Sequence, residues 1–417
     1  MEANARRTDS AGFPEPLPLE EAWQRLKAHL PPRRVEVLPL ETAAGRVLAE
    51  EIHAPEASPR FTNSAMDGYA LRYEDVAGAG PDALITLAVV GESQAGLPFS
   101  GKVGPGEAVR ISTGAMVPEG ADTVVPVEEV EVEESQVRLR APVRRHQHLR
   151  FAGEEFKAGD LLLASGAELT PPRLGLLASV GIGRVTVFRK PRVAILVTGS
   201  ELAGLAQPLS EGQIRDSNSL MLAAGVQRSG GEVIRIDRVP DDPAETAKRL
   251  QGAETQADLV IFSGGVSVGP HDHVKPAALA NHYQPLFWRV RIKPGKPMFA
   301  ARKEARMLFG LPGNPVSAYV CFTYFIYPLL RYLQGFEFGH RTVQAVAARR
   351  VENPLSRDHL MRIQLSGKGE HGVPRVEPLS RQGSHMLTSL TQADGFIRLP
   401  AGGRVEAGQE VSVYLFP

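Results

Sequence analysis

Apolar residues at Leu19, Ala22, Trp23, Leu26 and Leu30 fall three or four apart, which predicts an amphipathic helix near residues 17–30, stopped by Pro31-Pro32. Residues 1–15 are polar and read as a disordered tail. Farther on the apolar period shortens. Between residues 56 and 145 the runs 85–90, 108–111, 123–126 and 130–139 alternate with Gly/Pro turns, the pattern of a small β-rich inserted domain. Residues 146–190 return to mixed structure, with a helix-like stretch over 172–180 after a Pro pair. The expectation is a discontinuous linking and dimerisation domain from residues 16–55 and 146–190, with the N-terminal helix packed against the second segment and the β module extruded between them.

From Pro191 strand and helix patterns alternate. Residues 193–197 (Val-Ala-Ile-Leu-Val) form a continuous apolar run, as in a strand covered on both faces. Ser217 is placed to cap a helix over 218–228, which Gly230-Gly231 ends. A strand over 233–239 leads to Asp242-Pro243-Ala244-Glu245, an acidic cap with Pro at the first helical position. Apolar runs follow at 259–262, 287–292 and 307–311, and Asn314-Pro315 opens a long apolar helix ending near Leu333. Such alternation over residues 191–336 predicts a central three-layer α/β domain with a largely parallel sheet, whose ligands bind beyond the carboxyl ends of the strands. Residues 337–417 read as β again, at 343–351, 360–365, 396–399 and 411–415, and predict a C-terminal barrel. The fold class is thus multidomain, α/β plus β.

Composition narrows the function. A chain of 417 residues exceeds one ordinary core. The 47 basic and 47 acidic residues cancel, so no global field favours nucleic acid or a membrane surface, and any anion site has to be built locally. The single cysteine, Cys321, lies in an apolar run and reads as a buried structural thiol; a disulfide framework is excluded. The polar, acidic N-terminal stretch gives no signal peptide, no apolar stretch is long enough for a bilayer, and a cytoplasmic protein is expected.

The chemistry concentrates in loops. Ser263-Gly264-Gly265-Val266-Ser267-Val268-Gly269 follows an apolar strand; a glycine-rich turn there presents backbone N–H groups to phosphate or another oxyanion. Lys293-Pro294-Gly295-Lys296-Pro297 pins two ammonium groups between prolines, suited to neutralising phosphate or molybdate-like charge. Pro312-Gly313-Asn314-Pro315 offers the N–H groups of a helix start. Carboxylates follow three strands: Glu201 after Thr198-Gly199-Ser200, Asp241 beside Asp242, and Asp272, while Asp216 heads its own helix. Hard oxygens beside a phosphate suit Mg²⁺. Capping by itself accounts for Asp216 and Asp242; Asp272 has no visible helix start to cap. His271 and His273 could suggest zinc, but without a Cys or a distant His partner they read as solvated loop residues. In the β module Asp67 lies in a turn of small residues and Thr113 in another, and 144–150 (Arg-Arg-His-Gln-His-Leu-Arg) is a solvated charge run or an anion patch.

Several of these stretches in order, Ser64-Ala65-Met66-Asp67-Gly68-Tyr69-Ala70, Ser112-Thr113-Gly114-Ala115, Gly212 to Asn218, Ser263 to Gly269, Lys293 to Pro297, Gly310 to Ser317 and Gly383-Ser384-His385-Met386-Leu387, resemble the motifs of molybdopterin molybdenumtransferases, the family of bacterial MoeA and the C-terminal part of gephyrin. The resemblance runs from about Leu17 to the C-terminus. It implies four domains, an elongated homodimer, and insertion of molybdate into adenylylated molybdopterin with Mg²⁺-dependent hydrolysis of the phosphoanhydride and release of AMP. The implied site lies between the α/β domain of one subunit and the second and fourth domains of the other. By motif match the functional carboxylates are Asp67, Glu201, Asp241 and Asp272, the last three also as metal ligands, with Lys293 and Lys296 as the paired lysines. Substrate contacts are implied at Thr113, Arg150, Glu155, Asp216, Ser217, Asn218, Ser263, Gly264, Gly265, Ser267, Pro312, Gly313, Asn314 and Pro315, and at Arg362 and Ser384 for molybdate. Molybdopterin adenylyltransferase and other proteins of the cofactor pathway are the implied partners, with no nucleic acid or membrane. Two other readings share these features: an adenylyltransferase acting one step earlier, marked by ATP consumption with free molybdopterin, and a binding scaffold such as gephyrin adds to its catalysis.

Overall fold

A computed structural model describes residues 15–267, 272–368 and 372–417. The tail expected over residues 1–15 falls outside the described residues apart from Glu15, as do Val268, Gly269 and His271. The chain forms two compact units, Met1–Val37 with Thr186–Pro417, and Leu38–Val185.

In the first unit the elements are α1 (Leu19–Lys27), β1 (Arg192–Thr198), α2 (Asn218–Arg228), β2 (Glu232–Val239), α3 (Pro243–Glu254), β3 (Leu259–Ser263), α4 (Val274–Ala280), β4 (Gln284–Trp288), β5 (Phe299–Lys303), β6 (Arg306–Leu311) and α5 (Pro315–Cys321). The sheet has the order β2-β1-β3-β6-β5-β4. Its first four strands are parallel, and β5 and β4 are added antiparallel at one edge. The central strands are buried on both faces, which explains why they read as unbroken apolar runs. Val193, Ile195, Val197, Ile261 and Phe309 pack into one core, and Ala194, Leu196, Val260, Phe262 and Leu308 into another.

The sequence pattern differs from the structure at several elements. The apolar stripe of α1 contributes Leu19, Ala22 and Leu26 to the α/β core, where the expectation had the helix packed on residues 146–190. The run at 287–292 is not one strand: β4 ends at Trp288, Arg289 takes φ 63°, and Ile292–Lys293 leaves to pair with the C-terminal barrel. The hairpin partner β5 and helix α4 were not read from the sequence. Ser217 makes no capping bond; Asp216 Oδ1 accepts the Ser219 N–H at 3.0 Å in its place. At α3 the expected cap is present, with Asp242 Oδ1 accepting from the Glu245 N–H at 2.7 Å.

After α5 the helix continues through a π segment, Phe322–Ile326, into α6 (Tyr327–Leu333). Pro328 lacks the N–H that would bond the Tyr324 carbonyl, and His340 Nε2–H donates to that carbonyl at 3.0 Å. Strands β7 (Thr342–Ala347), β8 (Asp358–Lys368), β9 (Pro374–Pro378), β10 (Gly395–Leu399) and β11 (Glu410–Leu415) then close a five-stranded barrel, β8-β9-β7-β11-β10 and back to β8.

The second unit holds a six-stranded sheet, with Thr123–Pro126, Gly68–Leu71, Glu107–Ile111, Ile85–Ser93, Gln136–Leu139 and Val130–Glu133 in that order. Its core includes Tyr69, Leu71, Leu87, Ala108, Val125 and Val137. Ile52–His53 pairs with Leu161–Leu163, and Asn63–Ser64 with Leu149–Arg150. Among the described residues no helix is long and apolar enough to cross a membrane.

Candidate active site

The carboxyl ends of β1, β3 and β6 turn into loops that are cross-linked to one another. Gly264 N–H donates to the Leu311 carbonyl at 2.9 Å. Asn218, the first residue of α2, donates through Nδ2 to Ser263 Oγ at 2.8 Å and to the Gly313 carbonyl at 2.7 Å. Gly264 and Gly265 take φ of 92° and 66°, a region that favours glycine. A Cβ on Gly264 would stand 2.7 Å from Thr198 Oγ1 and 2.8 Å from the Thr198 carbonyl oxygen. A Cβ on Gly313 would meet only Gly264 Cα, at 3.8 Å. Glycine thus lets the β3 turn lie directly on the end of β1, as backbone presentation to an anion requires.

These turns border a cavity of about 390 Å³ that also takes in Thr198, Glu201, Asp241, Ser267, Asp272, Pro312 and Asn314. The Ser200 N–H donates to Asp241 Oδ2 at 3.0 Å, which fixes that carboxylate at the end of β2. Asp272 precedes α4, a helix start the sequence had not shown, while His273 occupies its N-cap position without a side-chain capping bond. Among the described residues no three His, Cys, Asp or Glu side chains are grouped closely enough to hold a metal ion.

A second cavity of about 570 Å³ adjoins the first and shares Pro297, Pro312 and Asn314 with it. It is lined by Lys293, Lys296, Ser317, Arg357, Gln382, Ser384 and His385. The lysine loop is held by Val290 N–H to the Lys296 carbonyl at 2.9 Å and Met298 N–H to the Gly295 carbonyl at 3.1 Å. Gly295, at φ 110°, has no room for a Cβ against Cys321 Sγ. Cys321 is buried and burial pushes its thiol pKa up, so it supports this loop as packing and not as a nucleophile.

Ser384 reaches the same place from the barrel. Asn314 Nδ2–H donates to Ser384 Oγ at 3.3 Å, and Val316 N–H to the Ser384 carbonyl at 3.2 Å. The barrel segment carrying Ser384 therefore meets the α/β domain of its own chain, whereas the resemblance implied a contribution from the fourth domain of the other subunit. Behind that segment Arg362 is fully buried. Its Nη2 donates to the Arg381 and Gly383 carbonyls at 2.9 and 3.2 Å, while Nε and Nη1 have no hydrogen-bond partner among the described residues. Burial lowers its pKa to about 10. A buried guanidinium without a carboxylate supplies positive potential to the adjacent cavity.

Of the other residues singled out, Asp216, Ser217, Ser263 and Pro315 shape the loops without lining either cavity. Asp67, Thr113, Arg150 and Glu155 belong to the second unit. There the Thr113 N–H donates to Asp67 Oδ1 at 2.7 Å, Arg150 pairs across strands with Asn63, and Ser58 Oγ–H donates to Glu155 Oε2 at 2.8 Å. Thr198, Arg357 and Gln382 were missed. Thr198 shows as the last residue of an apolar strand, but nothing in the local sequence singles out the other two.

Three family models tile the chain: MoeA N-terminal region (domain I and II) over residues 17–181, probable molybdopterin binding domain over 194–332, and MoeA C-terminal region (domain IV) over 344–416. The molybdopterin molybdenumtransferase of Haemophilus influenzae is 40% identical over 405 residues, 96% of this chain and 98% of the relative. Molybdopterin molybdenumtransferase 2 of Mycobacterium tuberculosis is 37% identical over 90% of this chain and 94% of its own. Two crystal structures of the molybdopterin biosynthesis MoeA protein from Pyrococcus horikoshii align with TM-scores of 0.84 and 0.78, at 32% and 31% identity, covering 97% and 96% of this chain and all of theirs. Sequence, fold and loop geometry agree, and the chain belongs to the molybdopterin molybdenumtransferase family, enzymes of molybdenum cofactor biosynthesis.

Proposed function

We propose that this chain inserts molybdate into adenylylated molybdopterin and hydrolyses the phosphoanhydride, releasing AMP and molybdenum cofactor. The observation that carries this reading is the pair of adjoining cavities at one sheet edge, with carboxylates in one and lysines in the other. On the carboxylate side, backbone N–H groups of the Gly264 turn and the helix start at Gly313–Asn314 bind the phosphates. On the other side Lys293, Lys296 and Ser384 hold the tetrahedral oxyanion, with Arg362 behind them. Hydrolysis of a phosphoanhydride depends on positioning and on neutralising charge at the leaving oxygen, and two ammonium groups carried on a loop held by backbone hydrogen bonds beside the phosphate seat serve both. The sulfur ligands to molybdenum come from the dithiolene of the substrate, which accords with a protein whose one cysteine is buried.

Glu201, Asp241 and Asp272 are hard oxygen donors around one cavity but are not grouped closely enough to hold an ion as a set of three; Mg²⁺ takes one or two carboxylates and completes its shell with substrate oxygens and water, so one or two of them would hold it. When bound, Mg²⁺ would supply charge neutralisation at the phosphates. The working protein is taken as a cytoplasmic homodimer in which the partner subunit brings Asp67 to each site, and its substrate comes from an adenylyltransferase. Incubation with adenylylated molybdopterin, molybdate and Mg²⁺ should release AMP. Consumption of ATP with free molybdopterin, and no AMP from the adenylylated substrate, would refute the reading in favour of the preceding step.

A further inference from the structure

Trp288 closes β4 at the antiparallel edge of the sheet, with β5 and β6 lying between β4 and β3. Its indole Nε1–H nevertheless donates to the Val266 carbonyl, in the glycine turn after β3, at 3.2 Å. Lys275 Nζ sits over the face of the same ring, 3.8 Å from its centroid, a cation–π contact that ties the half-buried ring to α4. The preceding residue of α4, Val274, donates its N–H to the Gly265 carbonyl at 3.1 Å. The Val266 side chain fills a notch at Gly310 of β6, where there is no room for a Cβ, and belongs to the core of Phe262, Val274 and Phe299. With the Gly264 N–H given to Leu311, the donors that remain in the turn are the N–H groups of Gly265, Val266 and Ser267. They have no hydrogen-bond partner among the described residues, and all three residues line the 390 Å³ cavity.

We infer that Trp288 is a positioning residue for the phosphates of the adenylylated substrate: by holding the Val266 carbonyl, its indole aims the Ser267 N–H. This rests on the proposed reading that the glycine turn is a phosphate seat. The physical reason is the geometry of the peptide unit. It is planar and trans, so the carbonyl of one residue and the N–H of the next lie in one rigid plane and point in opposite directions. Pinning the Val266 carbonyl from one side therefore fixes the Ser267 N–H on the other. Val274 does the same for the Val266 N–H by holding the Gly265 carbonyl. A half-buried indole N–H needs an acceptor of some kind; the one it takes here belongs to the peptide unit whose donor is unpaired at the cavity. Without that bond the unit can turn about its flanking single bonds, and part of the binding energy of an anion goes into ordering it.

The test is W288F, which keeps an aromatic ring beneath Lys275 and removes the donor. KM for adenylylated molybdopterin should rise about three- to tenfold, as for the loss of about one hydrogen bond, with kcat changed by less than about twofold. Calorimetric titration should show AMP binding weakened by the same factor and molybdate binding changed by less than about twofold, because the lysine loop is held by its own backbone bonds. Equal weakening of AMP and molybdate would mark the ring as a general packing element and overturn the inference. Unchanged KM and AMP affinity would overturn it and leave the phosphate reading intact. If W288F does not fold, NMR of the ¹⁵N-labelled wild type decides. The chain has two tryptophans, whose indole N–H signals are told apart through W23F. The Trp288 signal should shift when AMP is added while the Trp23 signal stays; a Trp288 signal that does not move overturns the inference. A wild type that neither binds AMP nor releases it from the adenylylated substrate would remove the reading and the inference together.

Discussion

At Gly264 a single methyl group separates the glycine turn after β3 from a clash. The added Cβ would stand 2.7–2.8 Å from Thr198 oxygens at a φ of 92°. Gly264→Ala should therefore cost about 1–3 kcal/mol of stability and raise KM for the adenylylated substrate, whereas Gly313→Ala, whose Cβ would meet only Gly264 Cα at an ordinary contact distance of 3.8 Å, should leave stability within about 0.5 kcal/mol. Thermal unfolding of the two variants side by side checks this; equal losses would show that the turn has slack the geometry does not indicate. The same residues show what a sequence can and cannot express. Glycines, prolines and lysines at strand ends carry their meaning locally, so the loops of Gly264, Lys293 and Gly313 were readable. Arg357 and Gln382 enter the cavity from the barrel, and the low pKa of His359 comes from burial first and then from the cations that tertiary structure brings around it. No local spacing encodes that.

Among the elements, the long helix beginning at Pro315 is broken by a π segment, and Pro328 leaves the Tyr324 carbonyl for His340 to satisfy. His340 stacks on Trp23, with Tyr324 tilted against it and Tyr414 edge-on. Burial is the main reason its pKa falls to about 4 from an ordinary 6.5, and His359 is depressed to the same level. Both folded-state values lie below the unfolded one, so between about pH 6.5 and 4 the unfolded chain binds protons that the native chain does not. Stability should thus be full above about pH 6.5 and fall as pH drops toward 4, by about 1–3 kcal/mol for each ring. Urea unfolding at pH 7, 5.5 and 4.5 measures it. His340→Phe keeps the ring stack but loses one hydrogen bond, worth about 1 kcal/mol, and should flatten the pH slope; an unchanged slope would remove His340 from the effect. The π segment itself could not be read from the apolar pattern, because an inserted residue does not change which positions are apolar. Alternation of strand and helix was legible, whereas the antiparallel edge was not. A β4–β5–β6 meander and a β–α–β unit present the same apolar runs until their pairing is known.

For the whole molecule, Asp272 and the lysines lie in one unit of the chain and Asp67 in the other, and the proposed homodimer brings Asp67 from the partner subunit. Mixing unfolded Asp67→Asn and Asp272→Asn chains and refolding them together should restore about a quarter of wild-type AMP release, since half of the dimers formed at random are mixed and each carries one intact site. No recovery above either variant alone would contradict a shared site. The strongest test of molybdenum transfer coupled to hydrolysis is a single-turnover reaction with adenylylated molybdopterin, Mg²⁺ and molybdate, quenched over time and assayed in the same tube for AMP and for molybdenum bound to the pterin. The two should appear together in equal amounts. AMP released with no molybdenum retained on the pterin would contradict it.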